Sequence, residues 1–250
     1  MSSSNGLQTL GMPWKGSNVR TIKQQARIAG FLYLLLALIA PIGLLYVPGK
    51  VFTPGNATAT VDNIRSHELL LRVGIASELV HQIVAVFLVL ALYRLFKPVS
   101  ENLARQVVIF GALVSVPIMF VNVLNEIASL ILASGADLLG AFTGAQLDRL
   151  AYLFYRLHSS GIKVVSVFWG IWLFPFGILV IRSGFIPKVF GVLLMIAGSA
   201  YLVSSFVAIV LPELEPQVAR IALPLEVAEF PIILWLAFWG AKPTPRPSAG

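Results

Sequence analysis

The sequence predicts an all-α, polytopic membrane bundle of about six transmembrane helices, with both termini on the cytoplasmic side. Three observations carry the prediction. Hydrophobic residues fill 58% of 250 positions and charged residues only 12%, with a mean hydropathy of +0.87. Soluble domains run near half apolar and a quarter charged, and a chain of this length cannot hide so much apolar surface in water. Apolar runs recur at close to the ~20 residues that cross a hydrocarbon core. Basic residues gather in alternate loops, the pattern of cytoplasmic loops.

Residues 1–25 are polar, rich in Ser, Asn and Gly, and read as a flexible basic cytoplasmic tail. The first span covers Ala26–Val47. No small-residue cleavage site follows it, so it reads as an anchor rather than a signal peptide. "VPGKVFTPGN" ends it. Val51–Glu68 then forms an outer loop in which Thr60 or Asp62 is expected to cap a short helix. This loop either lids a pocket, with Arg65 and His67 at its mouth, or is an ordinary solvated loop. Its "NAT" at Asn56–Thr58 matches a glycosylation acceptor, a triplet frequent by chance.

Further spans are expected at 70–94, 106–133, 161–181, 189–211 and 220–240, separated by breakers such as "SGADLLGAFTG", "RSGFIPK" and "LPELEPQ". In the fourth, helical pattern reaches back to Gln146, with Thr143 and Gln146 spaced as a capping box. Its amphipathic start, Leu147–Ser160, either lies on the interface or rises from it. Pro117, Pro175, Pro224 and Pro231 are expected to kink their helices. The transmembrane domain is thus 26–241, and 242–250 a short cytoplasmic tail.

Orientation follows from charge. With the N-terminus inside, Lys15, Arg20, Lys23, Arg27, Arg94, Lys97, Arg105, Arg182, Lys188, Lys242 and Arg246 are cytoplasmic, eleven of the eighteen basic residues, and Glu101 is the one acid beside them. The expected location is the cell (inner) membrane. The net charge of +7 reflects basic loops facing anionic lipid and implies no nucleic-acid partner. The absence of cysteine excludes disulfides, thiolate metal sites and Cys nucleophiles.

Ionisable residues interrupt the spans. "GIASELVHQIVAVF" places Gly74, Glu78, His81, Gln82 and Ala85 on one helix face, leaving Val80, Ile83, Val84 and Phe87 for lipid. In the third span Gly111, Ser115, Asn122, Asn125, Glu126 and Ser129 share a stripe, and in the sixth Ala222, Glu226, Glu229 and Ala237 do. A charge facing lipid at mid-membrane costs at least ~2.5–3.5 kcal/mol, so these stripes are expected to converge. His158 and Lys163 enter near the same level from the fourth segment.

The candidate pocket is therefore Glu78, His81, Gln82, Asn122, Glu126, Glu226 and Glu229, with His158 and Lys163 secondary. Three readings stay open. The groups hydrogen-bond helices together, in a structural or sensory partner of another membrane protein. They bind or translocate a small solute or a proton through an outward-facing pocket, Glu78 and His81 titrating as a pair. Or they hold a metal for a membrane enzyme, since Glu78-x-x-His81 matches half of a bundle di-metal site whose second Glu-x-x-His is replaced by Glu226-x-x-Glu229. "SVFWGIWLFPFG" aligns Ser166, Gly170 and Gly177 for packing, and Trp169 and Trp172 read as packing or lipid contacts. No P-loop, Gly-x-Ser-x-Gly or His-Glu-x-x-His is present, so no catalytic motif and no cofactor is implied.

"ARIAGFLYLLL", "LLLRVGIASEL", "ALYRLFKPV" and "FWGIWLFPFGILVIRSGFIPKVFGVLLMIAGSAYLV" resemble a bacterial multi-pass membrane family catalogued as domain of unknown function 4386. The resemblance covers nearly all of the chain after the tail, with Gly170–Leu194 as its most specific part. It implies a six-helix bundle and carries no activity, substrate or site residue.

Overall fold

The computed structural model describes residues 21–135 and 140–242. The expected tail up to Arg20, the C-terminal residues beyond Lys242 and the loop residues 136–139 lie outside the described residues. Seven helical elements follow one another, with no strand among the described residues. They are α1 (Ile22–Val51), the short α2 (Ala57–Ser66), α3 (Glu68–Phe96), α4 (Glu101–Ala133), α5 (Gly144–Ser183), α6 (Lys188–Val210) and α7 (Pro212–Trp239). All but α2 are long and apolar enough to cross a membrane. Their surface supports the same conclusion: Leu38, Leu45, Leu113, Val121, Leu124 and Val210 are each 60–68% exposed. Water would not tolerate such a belt; lipid requires it.

The ends of the elements differ from the sequence reading in detail. Thr21 and Gln24 form a capping box, so residues 22–25 belong to α1 and not to the tail. The helix also runs through "VPGKV" to Val51 instead of stopping at Val47, by way of a π-helical stretch, Ile42–Tyr46. Pro48 lacks the N–H that would reach back to Leu44, and the wider turn falls there. Pro117 has the same relation to a π-helical stretch at Ile109–Val114. In α5 the helix breaks at Trp172, where Pro175 cannot satisfy the Ile171 carbonyl. Pro224 sits inside a helix that continues to Glu226, where a 3₁₀ turn follows at Val227–Glu229. The Thr143–Gln146 capping box is present, and Leu147–Ser160 rises as one helix with the rest of α5.

Helix α2 is capped by Asn56, whose side chain accepts from Ala59 N at 3.0 Å, and not by Thr60 or Asp62. Thr60 is buried and bonds Thr53 and the Asn56 carbonyl. The glycosylation triplet thus spends its Asn on a cap. Asn56→Ala should cost α2 about 1 kcal/mol, read as faster amide exchange confined to α2 and its flanks; unchanged exchange would contradict this account.

The chain threads up and down, so Thr21 and Lys242 lie at the same end. Arg27 donates to the Phe238 carbonyl at 2.9 Å, and Lys242 N donates to the Phe185 carbonyl at 2.9 Å. We call this the terminal end and the other the α2 end. Small residues set the closest approaches. A Cβ on Gly170 would meet the Gly198 carbonyl oxygen at 2.8 Å, and one on Gly177 the Gly191 oxygen at 2.7 Å, so α5 and α6 touch backbone to backbone. On Gly30 a Cβ would overlap the backbone of Leu236 and Ala237, which locks α1 to α7.

Two apolar clusters form. One fills the terminal half with Phe96, Phe176, Leu92 and Leu194. The other lies beneath α2 with Val61, Ile64, Leu71 and Tyr155. On α3 the second cluster ends at Ile75 and the first begins at Leu88, and Glu78, His81 and Gln82 fall between them. The lipid-facing set on α3 needs one correction. Val80, Ile83 and Phe87 are exposed, but Val84 is only 8% exposed, because α1 and α4 flank α3 on both sides and narrow its outward stripe.

Candidate functional site

The predicted polar residues do not gather in one place. They divide into a closed cluster and an open cavity that touch.

The closed cluster joins α3, α4 and α5. His158 Nε2 lies 3.2 Å from Glu78 Oε1, with both side chains at 4% exposure or less. One ligand-type atom from each of Glu78, Glu126 and His158 falls within 4.8 Å of the others. Asn122 holds the imidazole from its far side. Its Nδ2 donates to the His158 carbonyl at 3.0 Å and faces His158 Nδ1 at 3.3 Å, while its own carbonyl lies 3.4 Å from that Nδ1. Gly161 makes the approach possible, because a Cβ there would overlap the Asn122 side chain. Asn125 adds a 3.4 Å bond to Asn122 Oδ1. His158, ranked as secondary from sequence, is therefore at the centre of the cluster. Both Glu78 oxygens and Glu126 Oε2 are buried without a hydrogen-bond partner of good geometry, as are Ser129 Oγ and the Tyr155 hydroxyl.

His81 is a correction to the expected Glu78–His81 pair. It does not turn to Glu78; Gln82 Nε2 faces His81 Nδ1 at 3.1 Å, and both line the cavity. Residues 78 and 81 are about 300° apart around the helix, or 60° the short way, so they flank a stripe without having to touch. The Glu-x-x-His spacing therefore supplies no half-site here. A separate helix brings the imidazole instead.

The cavity, of about 440 Å³, lies between α1, α3, α4, α5, α6 and α7. That falls in the range of small-molecule sites. Glu226 and Glu229 reach it from α7, where the helix tightens to a 3₁₀ turn at Val227–Glu229 just before Pro231. Tyr33 donates to Glu229 Oε2 at 2.5 Å and Tyr201 to Oε1 at 3.2 Å. Ser204 donates to Glu226 Oε1 at 2.7 Å. Trp169 and Trp172 complete an aromatic wall, so they are cavity residues as well as packing residues. Among the described residues lining this cavity none is Lys or Arg. Glu226, Tyr201 and Ser166 also line a neighbouring vestibule of about 250 Å³ that runs to Lys163 and Glu215, paired at 2.6 Å near the α2 end.

Sequence patterning missed Tyr33, Tyr201 and Ser204, and it read Ser166, which lines the cavity, as a packing residue. Tyr33 had a signal: it follows Ala26, Ala29 and Gly30 on one helix face, the close-packing side of α1. Tyr201 sits among aliphatic residues without such a mark. The lid expectation also changes. Arg65 is drawn to the Ala133 carbonyl at 2.8 Å and to Asp148 at 2.6 Å, and His67 to its own helix at Asn63. These contacts tie α2 to α4 and α5, and neither residue lines the cavity.

A bundle that turns its ionisable groups inward around a cavity and its apolar groups outward is a multi-pass α-helical membrane protein. Within that class, the chain belongs to the family described as Domain of unknown function (DUF4386), which matches residues 28–240. No curated protein and no solved structure matches it.

Proposed function

We propose that the protein binds, and passes across its membrane, a small solute carrying a positive charge on an apolar body. The cavity supports this reading: two carboxylates on a broken helix share its wall with Trp169 and Trp172, and no described lining residue is Lys or Arg. Carboxylates attract the charge, and aromatic faces bind cations and apolar groups alike. Discontinuous helices at cavities are the usual means by which transporters expose polar groups within the membrane.

Protonated benzylamine and neutral benzyl alcohol make a direct test, since they share a shape and differ in charge. The amine should quench Trp169 and Trp172 fluorescence saturably, at least about tenfold more tightly than the alcohol, roughly 1.4 kcal/mol. Glu229→Gln should remove most of that preference. Equal binding of amine and alcohol by the unaltered protein would overturn the reading.

We further propose that the terminal end faces the cytoplasm of an inner membrane and that the vestibule opens outward. Among the described residues the salt bridges at the terminal end all involve Glu101, with Lys97 and Arg105, whereas Lys23, Arg27, Arg94, Arg182, Lys188 and Lys242 share that end. At the α2 end Arg65, Arg72 and Lys163 are matched by Asp62, Asp148, Glu68 and Glu215, which leaves Lys50, Arg149, Arg156 and Arg220 against six at the terminal end. The excess of uncompensated basic charge thus lies at the terminal end. A reporter fused to the C-terminus should be active only in its cytoplasmic form; activity restricted to the other side would reverse the orientation.

A further inference from the structure

We infer that Glu78, Glu126 and His158 form a binding site for one divalent transition-metal ion of the Zn²⁺ class. The argument begins with charge. With both carboxylates ionised and the imidazole neutral the cluster carries two negative charges, which a divalent cation cancels in place of the protons that would otherwise do so. A net charge buried this deeply between spans is strongly unfavourable, and neutrality removes that cost.

Geometry agrees. Ligands at ~2.0–2.1 Å around a tetrahedral ion stand ~3.3 Å apart. Glu78 Oε1 and His158 Nε2 are already 3.2 Å apart. The third atom, from Glu126, lies within 4.8 Å of both, a gap that a small side-chain rotation closes. Glu78 Oε2 and Glu126 Oε2 are buried without a hydrogen-bond partner, and Glu78 Oε1 has only the His158 ring beside it. Two of these buried oxygens are thus unpartnered beside an imidazole, which is more than acids close in space.

Asn122 suits the same role. A metal on His158 Nε2 requires the proton on Nδ1, which the Asn122 backbone carbonyl 3.4 Å away can accept while the Asn122 Nδ2, 3.3 Å from the same nitrogen, gives its protons to the His158 carbonyl instead. An outer acceptor of this kind fixes the ring and raises its basicity. One imidazole with two carboxylates favours Zn²⁺, Mn²⁺ or Fe²⁺ over Ca²⁺ or Mg²⁺, which prefer all-oxygen shells. Three protein ligands leave a fourth position open. A small pocket touched by Glu78, His81, Gln82 and Trp169 shares the last three with the large cavity, so the cluster and the cavity abut.

The test uses the full chain in mild detergent, stripped with chelator and then titrated with Zn²⁺ and with Co²⁺. One ion should bind per chain, and Co²⁺ should give the intense visible bands of a low-coordinate site. Glu126→Gln keeps the volume of the side chain and should weaken binding at least about 100-fold, beyond the 10- to 100-fold typical of outer-shell losses. His158→Asn should do the same; if it fails to fold, Glu126→Gln decides alone. Glu229→Gln alters the cavity carboxylate and should leave Zn²⁺ affinity unchanged, so this proposal and the solute reading fail independently. Binding well below one ion per chain, or wild-type Zn²⁺ affinity in well-folded Glu126→Gln, would overturn the assignment.

Discussion

Gly30→Val is expected to prevent stable folding. The added carbons would occupy the space of the Leu236 and Ala237 backbone. A backbone held in a helix cannot swing away as a flexible side chain can, so α1 and α7 must separate along their length. The loss should exceed the ~1–3 kcal/mol of ordinary core overpacking. Separation would also break the Tyr33–Glu229 bond, one helical turn from Gly30 on the same seam. Phe31, the next residue, is 54% exposed and points to lipid. Phe31→Leu should be nearly silent and serves as the control. Size-exclusion profiles and thermal melts in detergent would read both. A Gly30→Val protein that elutes as a single species with an unchanged melt would show that α1 and α7 are not locked in this way.

Gly161→Ala is the second expected large effect. Its methyl group would fall on the Asn122 carboxamide, which lies against Gly161 and holds the His158 ring and carbonyl. Unlike the Gly30 case, the obstacle is a side chain and can be removed. The single change should cost about 1–3 kcal/mol from overpacking, and about 1 kcal/mol more for each buried hydrogen bond that is lost. Asn122→Ala alone should also destabilise, because it strips the imidazole of its support. The double change should be less damaging than the sum of the two, because each relieves the other's clash or vacancy. Strict additivity would mean that the two residues do not meet.

The two glycines differ in what a sequence reader can learn from them. Gly30 stands beside Ala26, Ala29 and Tyr33 on one helix face, and small residues on a face announce a close approach. Their partner on α7 is not announced. Gly161 opens the predicted fourth span and looks like a boundary residue; its value lies in making room for an Asn from another helix. Similarly, the inward face of α4 was legible, since Ser115, Asn122, Glu126 and Ser129 are all buried as their spacing requires. That Asn122 and Glu126 would meet an imidazole from α5 was not.

The apolar runs by themselves determined six spans, their approximate limits and the membrane as solvent, because hydropathy and helical period are local properties of the chain. The sequence also determined which faces of α3, α4 and α7 turn inward, since a carboxylate facing lipid is too costly to leave there. Only the tertiary structure decided which inward groups share a site. The rotation of each helix about its axis and its depth against its neighbours are set by contacts such as Gly30 against Ala237 and Gly161 against Asn122. Those contacts pair Glu78 with His158 instead of the nearby His81, and they send Glu226 and Glu229 to Ser204, Tyr33 and Tyr201. A stripe on one helix records a direction. Convergence depends on several helices at once, and packing between residues far apart in sequence supplies it.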